Sequence, residues 1–399
     1  MLFVGDGVGH YLQTGLYLFL YPYQFGITLF VSIIYKIFGV DYMHILLINC
    51  ACSLINISIL FKITKILFKN ENIEKIVIIL MSIFAIYWMF FNVHFYGNII
   101  GLTFALLATL STLSYLESNT KKHLILSGIS IAIAIILKSN YQIFLCGIIL
   151  ILIFDIIKKW NRQSLLILPI FLFGYFLINF GYSAFLKYNN VILPEGVPMI
   201  SFVYMGMDEP TDFSPGWYNG VTIELYGDND FDNKKTSEVT KKLINERLNY
   251  FIKYPNEFLN YYSQKIGSTW LNPTFQTIWC SIPGIRCIFN SEYNEYISSH
   301  PTILNMIAAE YYPLEENIFN SYQIIIFCFA SFGILMLAKT IDLSKALFII
   351  IFAGGFAFHI IWETKAIYVI QYYFLLLPFA AYGLDFFIDE IYLLLRPKN

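Results

Sequence analysis

Apolar segments long enough to cross a lipid bilayer occur along most of the chain and constrain its fold more than any other feature. A helix needs about 20 residues to cross a hydrocarbon core of about 30 Å. About ten segments approach this length, namely 12–38, 42–61, 76–92, 98–116, 123–138, 141–157, 164–186, 319–338, 345–361 and 367–388. The 399 residues are 58% hydrophobic and only 13% charged. The sequence therefore predicts an all-α polytopic membrane protein.

The connectors between these segments alternate in charge. Cytosolic connections of membrane proteins are enriched in Lys and Arg. One alternating set of connectors is basic and contains Lys62, Lys65, Lys69, Lys75, Lys121, Lys122, Lys158, Lys159, Arg162, Lys339 and Lys345. The other set, at 39–41, 92–97, 139–140 and 362–366, contains Lys365 alone. This bias predicts a cell-membrane protein whose loop 187–318 is extracytoplasmic and whose C-terminus is cytoplasmic, and it places residue 1 on the inside.

The polar loop divides the chain into three regions. Residues 1–186 form an N-terminal transmembrane region of about seven spans and residues 319–399 a C-terminal one of about three. Within the loop, the apolar spacing predicts amphipathic helices over 236–253 and 255–270. Pro255 suits the first turn of the second helix, where its missing N–H would be unpaired anyway. The faces that we expect to be buried contain Leu243, Leu248, Phe251 and Ile252, then Phe258, Leu259, Tyr262 and Ile266.

The cysteines and the acidic run of the loop give weaker signals. Cys280 and Cys287 flank a turn sequence, and an oxidising exterior allows a disulfide between them. Spacing alone does not establish their Cα separation, so bridged and free cysteines both stay open. The run 228–233 lacks the Gly and Glu that an EF-hand requires at its sixth and twelfth positions. No cluster of ligands predicts a metal site, and a requirement for a divalent metal stays open.

Polar residues at the ends of the spans are the candidates for a functional site, because ionisable groups at membrane depth are costly to bury. Three connectors open on the same predicted face, and they contain His94, Tyr96, Asn98, Lys138, Asn140, Glu363, Lys365 and Tyr368. The other two candidates, Tyr21 and Gln24, lie where Pro22 begins or interrupts the first span. Structural interpretations exist for each. Lys138 can extend to the interface from a helix end, Glu363 and Lys365 can form a solvated pair, and the tyrosines can belong to an interfacial aromatic belt.

Several short motifs follow one another in the order seen in a known family. They are Tyr21–Gly26 followed by Phe38–Gly39, Tyr96–Asn98, Met205–Met207, Pro215–Gly220 (which contains Trp217), Trp270–Gln276 and Trp362–Tyr368. Together they resemble the C-type (GT-C) polytopic membrane glycosyltransferases. The similar subgroup is Gram-positive and related to protein O-mannosyltransferases and to the aminoarabinose transferases of lipid A. The motifs are dispersed over nearly the whole chain.

The resemblance implies transfer of a sugar from a polyprenyl-phosphate-linked donor to a glycan or glycolipid acceptor of the cell envelope, such as a cell-wall polysaccharide. It implies phosphate contacts from Lys138 and Lys365, and a pocket shaped by Glu363 and Tyr368. The donor is a substrate, and no other cofactor is implied. The net charge of −2 gives no global field that would attract nucleic acid.

The resemblance also implies a catalytic Asp in an outer loop that precedes the Tyr21–Gly26 motif. We expect this base to lie upstream of Met1, with Asp6 as a fallback, so that the chain is N-terminally truncated relative to the family or catalytically inactive. The family places residues 1–20 outside, whereas the charge count places them inside. Two other functions stay open, a transporter or flippase of lipid-linked sugars and a non-catalytic scaffold.

Overall fold

The computed structural model describes residues 16–159, 195–209, 214–281 and 312–395, together with single positions between 169 and 188. These residues form helices and turns. The α-helices are α1 (Leu16–Leu20), α2 (Phe25–Phe38), α3 (Tyr42–Phe68), α4 (Glu71–Phe91), α5 (Asn98–Ser118), α6 (Lys121–Leu137), α7 (Gln142–Lys159), α8 (Ile200–Met205), α9 (Val221–Asp228), α10 (Asn233–Lys253), α11 (Pro255–Trp270), α12 (Thr277–Ser281), α13 (Tyr312–Leu337), α14 (Leu343–Ile361), α15 (Ile370–Phe374) and α16 (Leu377–Leu395). The expected all-α fold is confirmed.

Six helical segments in the described part of the chain are long and apolar enough to cross a membrane. They are Tyr42–Phe68, Glu71–Phe91, Asn98–Ser118, Ser139–Lys158, Asn317–Leu337 and Leu343–Ile361. The chain is therefore a polytopic membrane protein. The predicted span 164–186 lies outside the described residues, and the predicted number of about ten spans stays a prediction.

Two predicted spans are broken in the structure. The segment 12–38 is interrupted by a 3₁₀ turn at Pro22–Gln24, because a proline cannot continue the hydrogen-bonding pattern of a helix. The segment 367–388 is divided between the short helix α15 and the longer helix α16. Pro378 is the second residue of α16, a position at which proline is tolerated. The structure therefore divides the segment 367–388 into two helices, whereas the break at Pro22 agrees with the interruption that this proline predicts.

The N- and C-terminal apolar helices pack into one bundle. Helix α5 packs against α3 and α6, α7 packs against α14, and α16 packs against both α4 and α13. Polar caps fix where helices begin: the Asp41 carboxylate accepts from the backbone N–H of Met43 at 2.8 Å, and the Asn70 side chain accepts from that of Asn72 at the same distance. Such caps satisfy N–H groups that a helix leaves unpaired at its start.

The two long loop helices have the predicted positions but different buried faces. Helices α10 and α11 match the predicted ranges within three residues. In α10, Phe251 is buried as predicted, but Leu248 and Ile252 are exposed and the buried face also carries Thr236 and Thr240. In α11, Phe258 and Leu259 are exposed, whereas Tyr261, Lys265, Thr269 and Trp270 are buried. The buried faces of both helices are therefore more polar than we expected.

Helix α11 ends inside the membrane bundle. The Trp270 ring lies 5.4 Å from the rings of both Phe352 and Phe356 on α14, measured between centroids. The next residues are held by polar contacts, because the Tyr87 hydroxyl donates to the Pro273 carbonyl at 2.9 Å and the Gln323 amide donates to the Asn272 carbonyl at 3.1 Å. Helix α12 then packs against α4. The segment 270–281 is thus shared between the loop and the spans.

The basic connectors lie at the end of the bundle opposite to the polar candidates. Lys69 forms an ion pair with Glu117 at 2.9 Å, and Lys345 forms one with Asp342 at 2.5 Å. These residues and Lys158 line a cleft of about 460 Å³. The structure therefore separates the two sets of connectors, as the alternation of charge in the sequence predicts.

Candidate functional site

The turn at Tyr21–Gln24 positions the first candidates. Its residue Gln24 is buried, and the Gln24 side-chain amide donates to the Tyr96 hydroxyl at 3.2 Å. The Tyr17 hydroxyl lies 3.0 Å from the same oxygen. These bonds connect the start of α2 to the connector between α4 and α5, which is one of the outer connectors predicted to converge.

Lys138 lies between two tyrosine rings. It follows the last residue of α6, and only 7% of its surface is exposed. Its Nζ atom lies 3.5 Å from the ring centroid of Tyr96 and 5.5 Å from that of Tyr368. Both distances are within the range of cation–π attraction. The interfacial interpretation requires Lys138 to extend to solvent, and the structure shows that it does not. Its ammonium group instead joins two of the predicted connectors.

The connector after α14 is held to the loop by its backbone. The Glu363 N–H donates to the Phe202 carbonyl at 3.0 Å, and the Thr364 N–H donates to the Gly216 carbonyl at 2.9 Å. Glu363 is buried, with 8% of its surface exposed. This burial excludes the solvated boundary pair that we considered for Glu363 and Lys365. The loop instead holds the backbone of Glu363 and Thr364.

Lys365 belongs to a second cation–aromatic group. Its Nζ atom lies 5.3 Å from the ring centroid of Tyr218, and the Tyr218 hydroxyl lies 3.3 Å from that of Tyr21. On the other side of the connector, the ring of Tyr368 stacks on His359 with centroids 6.3 Å apart. The connector thus places Lys365 beside Tyr218 and, three residues later, the ring of Tyr368 beside Lys138.

The other predicted candidates lie around these groups. His94 stacks on Phe91 and lies 6.1 Å from Tyr96 between ring centroids. Asn98 begins α5, and its backbone carbonyl accepts from the Tyr141 hydroxyl. Asn140 is half-buried in the 3₁₀ turn after Lys138. Trp217 is half-buried, and its Nε1 atom is buried without a hydrogen-bond partner among the described residues. Asp6 and Cys287 lie outside the described residues.

The sequence analysis did not identify Lys265, which lies on the buried face of α11. Its Nζ atom donates to the carbonyls of Gly206 at 2.5 Å, Ile360 at 2.8 Å and Trp362 at 2.9 Å. Burial lowers the pKa of Lys265 to about 7, while the nearby Glu363 carboxylate raises it. The only available signal was its spacing, four residues after Tyr261 and four before Thr269. Backbone acceptors leave no trace in a sequence.

The gathered groups have a common chemistry. Lys138 and Lys365 lie against tyrosine rings at one end of the bundle. The buried carboxylate of Glu363 belongs to the same connector as Lys365. Cations and hydroxyl donors fixed in a partly dehydrated place are suited to a phosphate and to the hydroxyls of a sugar. In the described part of the chain, no three His, Cys, Asp or Glu side chains form a group that would hold a metal ion.

Fold and site together define a polytopic α-helical membrane protein whose polar groups converge at one end of its bundle. Residues 25–181, less than half of the chain, match the model of the family described as dolichyl-phosphate-mannose-protein mannosyltransferase. The resemblance to C-type glycosyltransferases is confirmed, and the match supports a membrane glycosyltransferase of that type. The matched region includes Tyr96 and Lys138. No curated protein and no solved structure gives a significant match.

Proposed function

We propose that the chain transfers a sugar from a polyprenyl-phosphate-linked donor to a cell-envelope glycan or glycolipid on the outer face of the membrane. The observation that carries the proposal is the buried ammonium group of Lys138, held between Tyr96 and Tyr368. An ammonium group in such a partly dehydrated place attracts a phosphate more strongly than it would in water. A phosphate that is attached to a membrane lipid fits both its charge and its position at the end of the spans.

The family match supports the same donor chemistry. The family's name includes a dolichyl-phosphate sugar, which is a polyprenyl-type phosphate, and the matched region contains Lys138. Lys365 lies beyond the matched region but in a similar setting against a tyrosine ring. We assign Lys138 and Lys365 as contacts of the donor phosphate, and Glu363 and Tyr368 as residues that shape the pocket. The identity of the sugar is left open by this assignment.

In the proposed reaction, an acceptor hydroxyl oxygen attacks the anomeric carbon of the donor sugar. The bond between that carbon and the phosphate oxygen breaks, and the electron pair leaves with the polyprenyl phosphate. The hydroxyl proton passes to a carboxylate base, which must lie within hydrogen-bond range of it. We expect this base in an outer loop before Tyr21, as the resemblance to the family implies. Lys138 and Lys365 stabilise the charge that develops on the leaving phosphate.

The test compares Lys138→Met with Lys36→Met in membranes that contain the full chain. Lys36 is an exposed lysine at the end of α2 and serves as the matched control. Two quantities are measured, the affinity for polyprenyl phosphate and the transfer of radiolabelled sugar from a polyprenyl-phosphate donor. We expect Lys138→Met to lower the affinity and to lower kcat/KM by about 100-fold, the usual effect of losing one group that stabilises developing negative charge.

Binding is measured separately from transfer so that the donor site is tested independently of the catalytic step. Binding of polyprenyl phosphate that depends on Lys138 and not on Lys36 supports the donor site. Equal affinities of the two variants contradict it. Movement of lipid-linked sugar across vesicles, without transfer to any acceptor, contradicts the enzyme and supports a flippase.

A further inference from the structure

Lys265 is an almost fully buried lysine on the loop helix α11. Only 1% of its surface is exposed. An ammonium group has three N–H donors, and the three carbonyls of Gly206, Ile360 and Trp362 accept one hydrogen bond each. A buried charge is tolerated only when its hydrogen-bonding capacity is satisfied. All three donors of Lys265 are satisfied by backbone oxygens that belong to other elements.

These carbonyls lie where two helices end. Ile360 is in the last turn of α14 and Trp362 is its C-cap, while Gly206 is the C-cap of α8. The last carbonyls of a helix have no partner within the helix and carry a partial negative charge. The ammonium group of Lys265 therefore caps α14 and α8 together. The connector that contains Glu363 and Lys365 begins at this point.

Two glycines allow the backbones to converge on Lys265. A Cβ atom on Gly216 would lie 2.5 Å from Cε of Lys265, and one on Gly206 would lie 2.5 Å from the Ile361 carbonyl oxygen. Gly216 also has a positive φ of 74°, which favours glycine. Phe202 in α8 and Gly216 accept the backbone bonds of Glu363 and Thr364. Lys265 thus lies beside the backbone contacts that join this connector to the loop.

We propose that Lys265 is a positioning residue for the candidate site, which fixes the connector that carries Glu363 and Lys365. The role assigned to those two residues rests on the proposed function. Lys265 itself does not touch the substrate. It acts through the carbonyls of Ile360 and Trp362, and its removal is expected to release the connector from the loop while the membrane bundle stays folded.

Hydrogen exchange tests this positioning without any substrate. In the full chain in detergent at about pH 6, below the pKa of about 7 so that Lys265 is an ammonium group, we expect Lys265→Met to speed exchange of the Glu363 and Thr364 amides by 10-fold or more, with α3 to α6 unchanged. The matched control is Arg247→Met. Arg247 also holds the loop through a backbone carbonyl, donating to Met207 at 2.7 Å, but no described bond joins it to the connector. We expect this control to leave both amides protected.

Rescue by an added amine separates the ammonium group from simple packing. In Lys265→Ala, propylammonium supplies three N–H donors and is expected to restore protection of both amides. Tetramethylammonium has the charge but no N–H, and is expected to restore nothing. Equal rescue by both cations, or unchanged exchange in Lys265→Met, would overturn the inference.

Binding of polyprenyl phosphate by the same variants keeps this inference separate from the proposed function. Faster amide exchange together with lower affinity in Lys265→Met supports the positioning role. If the unaltered chain does not bind polyprenyl phosphate, the proposed function is overturned. The role of Lys265 in positioning a donor site is then overturned with it, even if amide exchange is faster in Lys265→Met. Unchanged exchange in a protein that does bind overturns the positioning role alone.

Discussion

The charge of Lys138 is held where water reaches it poorly. Tyr96 and Tyr368 provide two ring faces, at 3.5 and 5.5 Å from its Nζ atom. The negative faces of these rings replace part of the hydration that the ammonium group loses on burial. Charges interact more strongly in such a medium than in bulk water. A phosphate that enters this position would therefore be attracted strongly.

Substitutions at Tyr96 separate the ring from its hydroxyl. Tyr96→Leu removes the ring face next to Lys138, and we expect it to lower the affinity for polyprenyl phosphate by about 2- to 30-fold, which corresponds to about 0.5–2 kcal/mol of cation–π attraction. Tyr96→Phe keeps the ring and loses the bonds to Gln24 and Tyr17. Titration of both variants in detergent measures the difference. A loss of the same size in both would assign the effect to the hydroxyl.

Lys265 makes stability depend on pH in a direction that can be predicted. Burial lowers its pKa from 10.5 to about 7 in the folded chain. Between these two values the unfolded chain binds a proton that the folded chain has released, so stability rises with pH. We expect the thermal unfolding temperature in detergent to rise between about pH 7 and about pH 9.5. The lower pH is close to the pKa of Lys265 in the folded chain, and the upper pH is still below its pKa in the unfolded chain.

The matched variants isolate this contribution. Lys265→Met has no titrating group at this position and is expected to show a smaller rise. Arg247→Met removes a side chain that stays charged over the whole pH range, so its rise should equal that of the unaltered chain. An undiminished rise in Lys265→Met would assign the pH dependence to another group.

At the scale of elements, helix positions were predictable and helix orientations were not. Local signals fix the bounds of α10 and α11: the Asp232 side chain caps the first, and Pro255 begins the second. Which face is buried depends on partners that are distant in the sequence. Arg247 is drawn inward because Met207 offers a carbonyl. A hydrophobic pattern alone cannot predict that contact.

The candidate site was predictable to a similar extent. Tyr96, Lys138 and Tyr368 were expected on one face because their connectors alternate with the basic ones, and the structure brings their side chains together. Lys265 was missed because its partners are backbone carbonyls, which every residue has. Its three hydrogen bonds form only when α8, α11 and α14 come together in the folded chain.

Helices α13 and α16 approach each other most closely at two glycines. A Cβ atom on Gly333 would lie 2.5 Å from the Phe379 carbonyl oxygen, and one on Gly383 would collide with the Phe329 carbonyl. Small residues at such crossings allow membrane helices to pack backbone against backbone. The apolar C-terminal helices therefore have a specific packing contact in addition to their shared preference for lipid.

Alanine at Gly383 is expected to destabilise this contact. Because the neighbouring atoms are backbone and cannot move aside, we expect Gly383→Ala to lower the free energy of unfolding in detergent by about 1–3 kcal/mol, the typical cost of overpacking. Gly354→Ala is the matched control, since its Cβ would meet only the Ile143 side chain, at 3.2 Å. If the two variants unfold alike, the close approach of α13 and α16 is not a determinant of stability.

At the scale of the whole molecule, charge is divided between the two ends of the bundle. The cleft with Lys69, Lys158 and Lys345 lies at one end, and the candidate site with Lys138 and Lys365 lies at the other. Basic connectors favour the cytosolic side. We therefore propose that the cleft faces the cytosol and that the candidate site and the loop helices face outward.

Thiol labelling of whole cells tests this orientation. Glu238 on α10 and Ser118 at the end of α5 are both exposed, and they lie at opposite ends of the bundle. A membrane-impermeant maleimide should label Glu238→Cys in intact cells and label Ser118→Cys only after the cells are opened. Labelling is scored above that of the unaltered chain, which has its own cysteines. The reverse pattern would invert the proposed topology.

The descent of α11 into the bundle limits how independently the parts of this chain can evolve. Trp270 belongs to the loop by sequence, yet it packs on Phe352 and Phe356 among the spans. A substitution on either side of that contact changes the shape that the other side must match. Chimaeras that join the loop of one relative to the spans of another are therefore expected to fold only when the segment 270–281 comes from the same parent as α4 and α14.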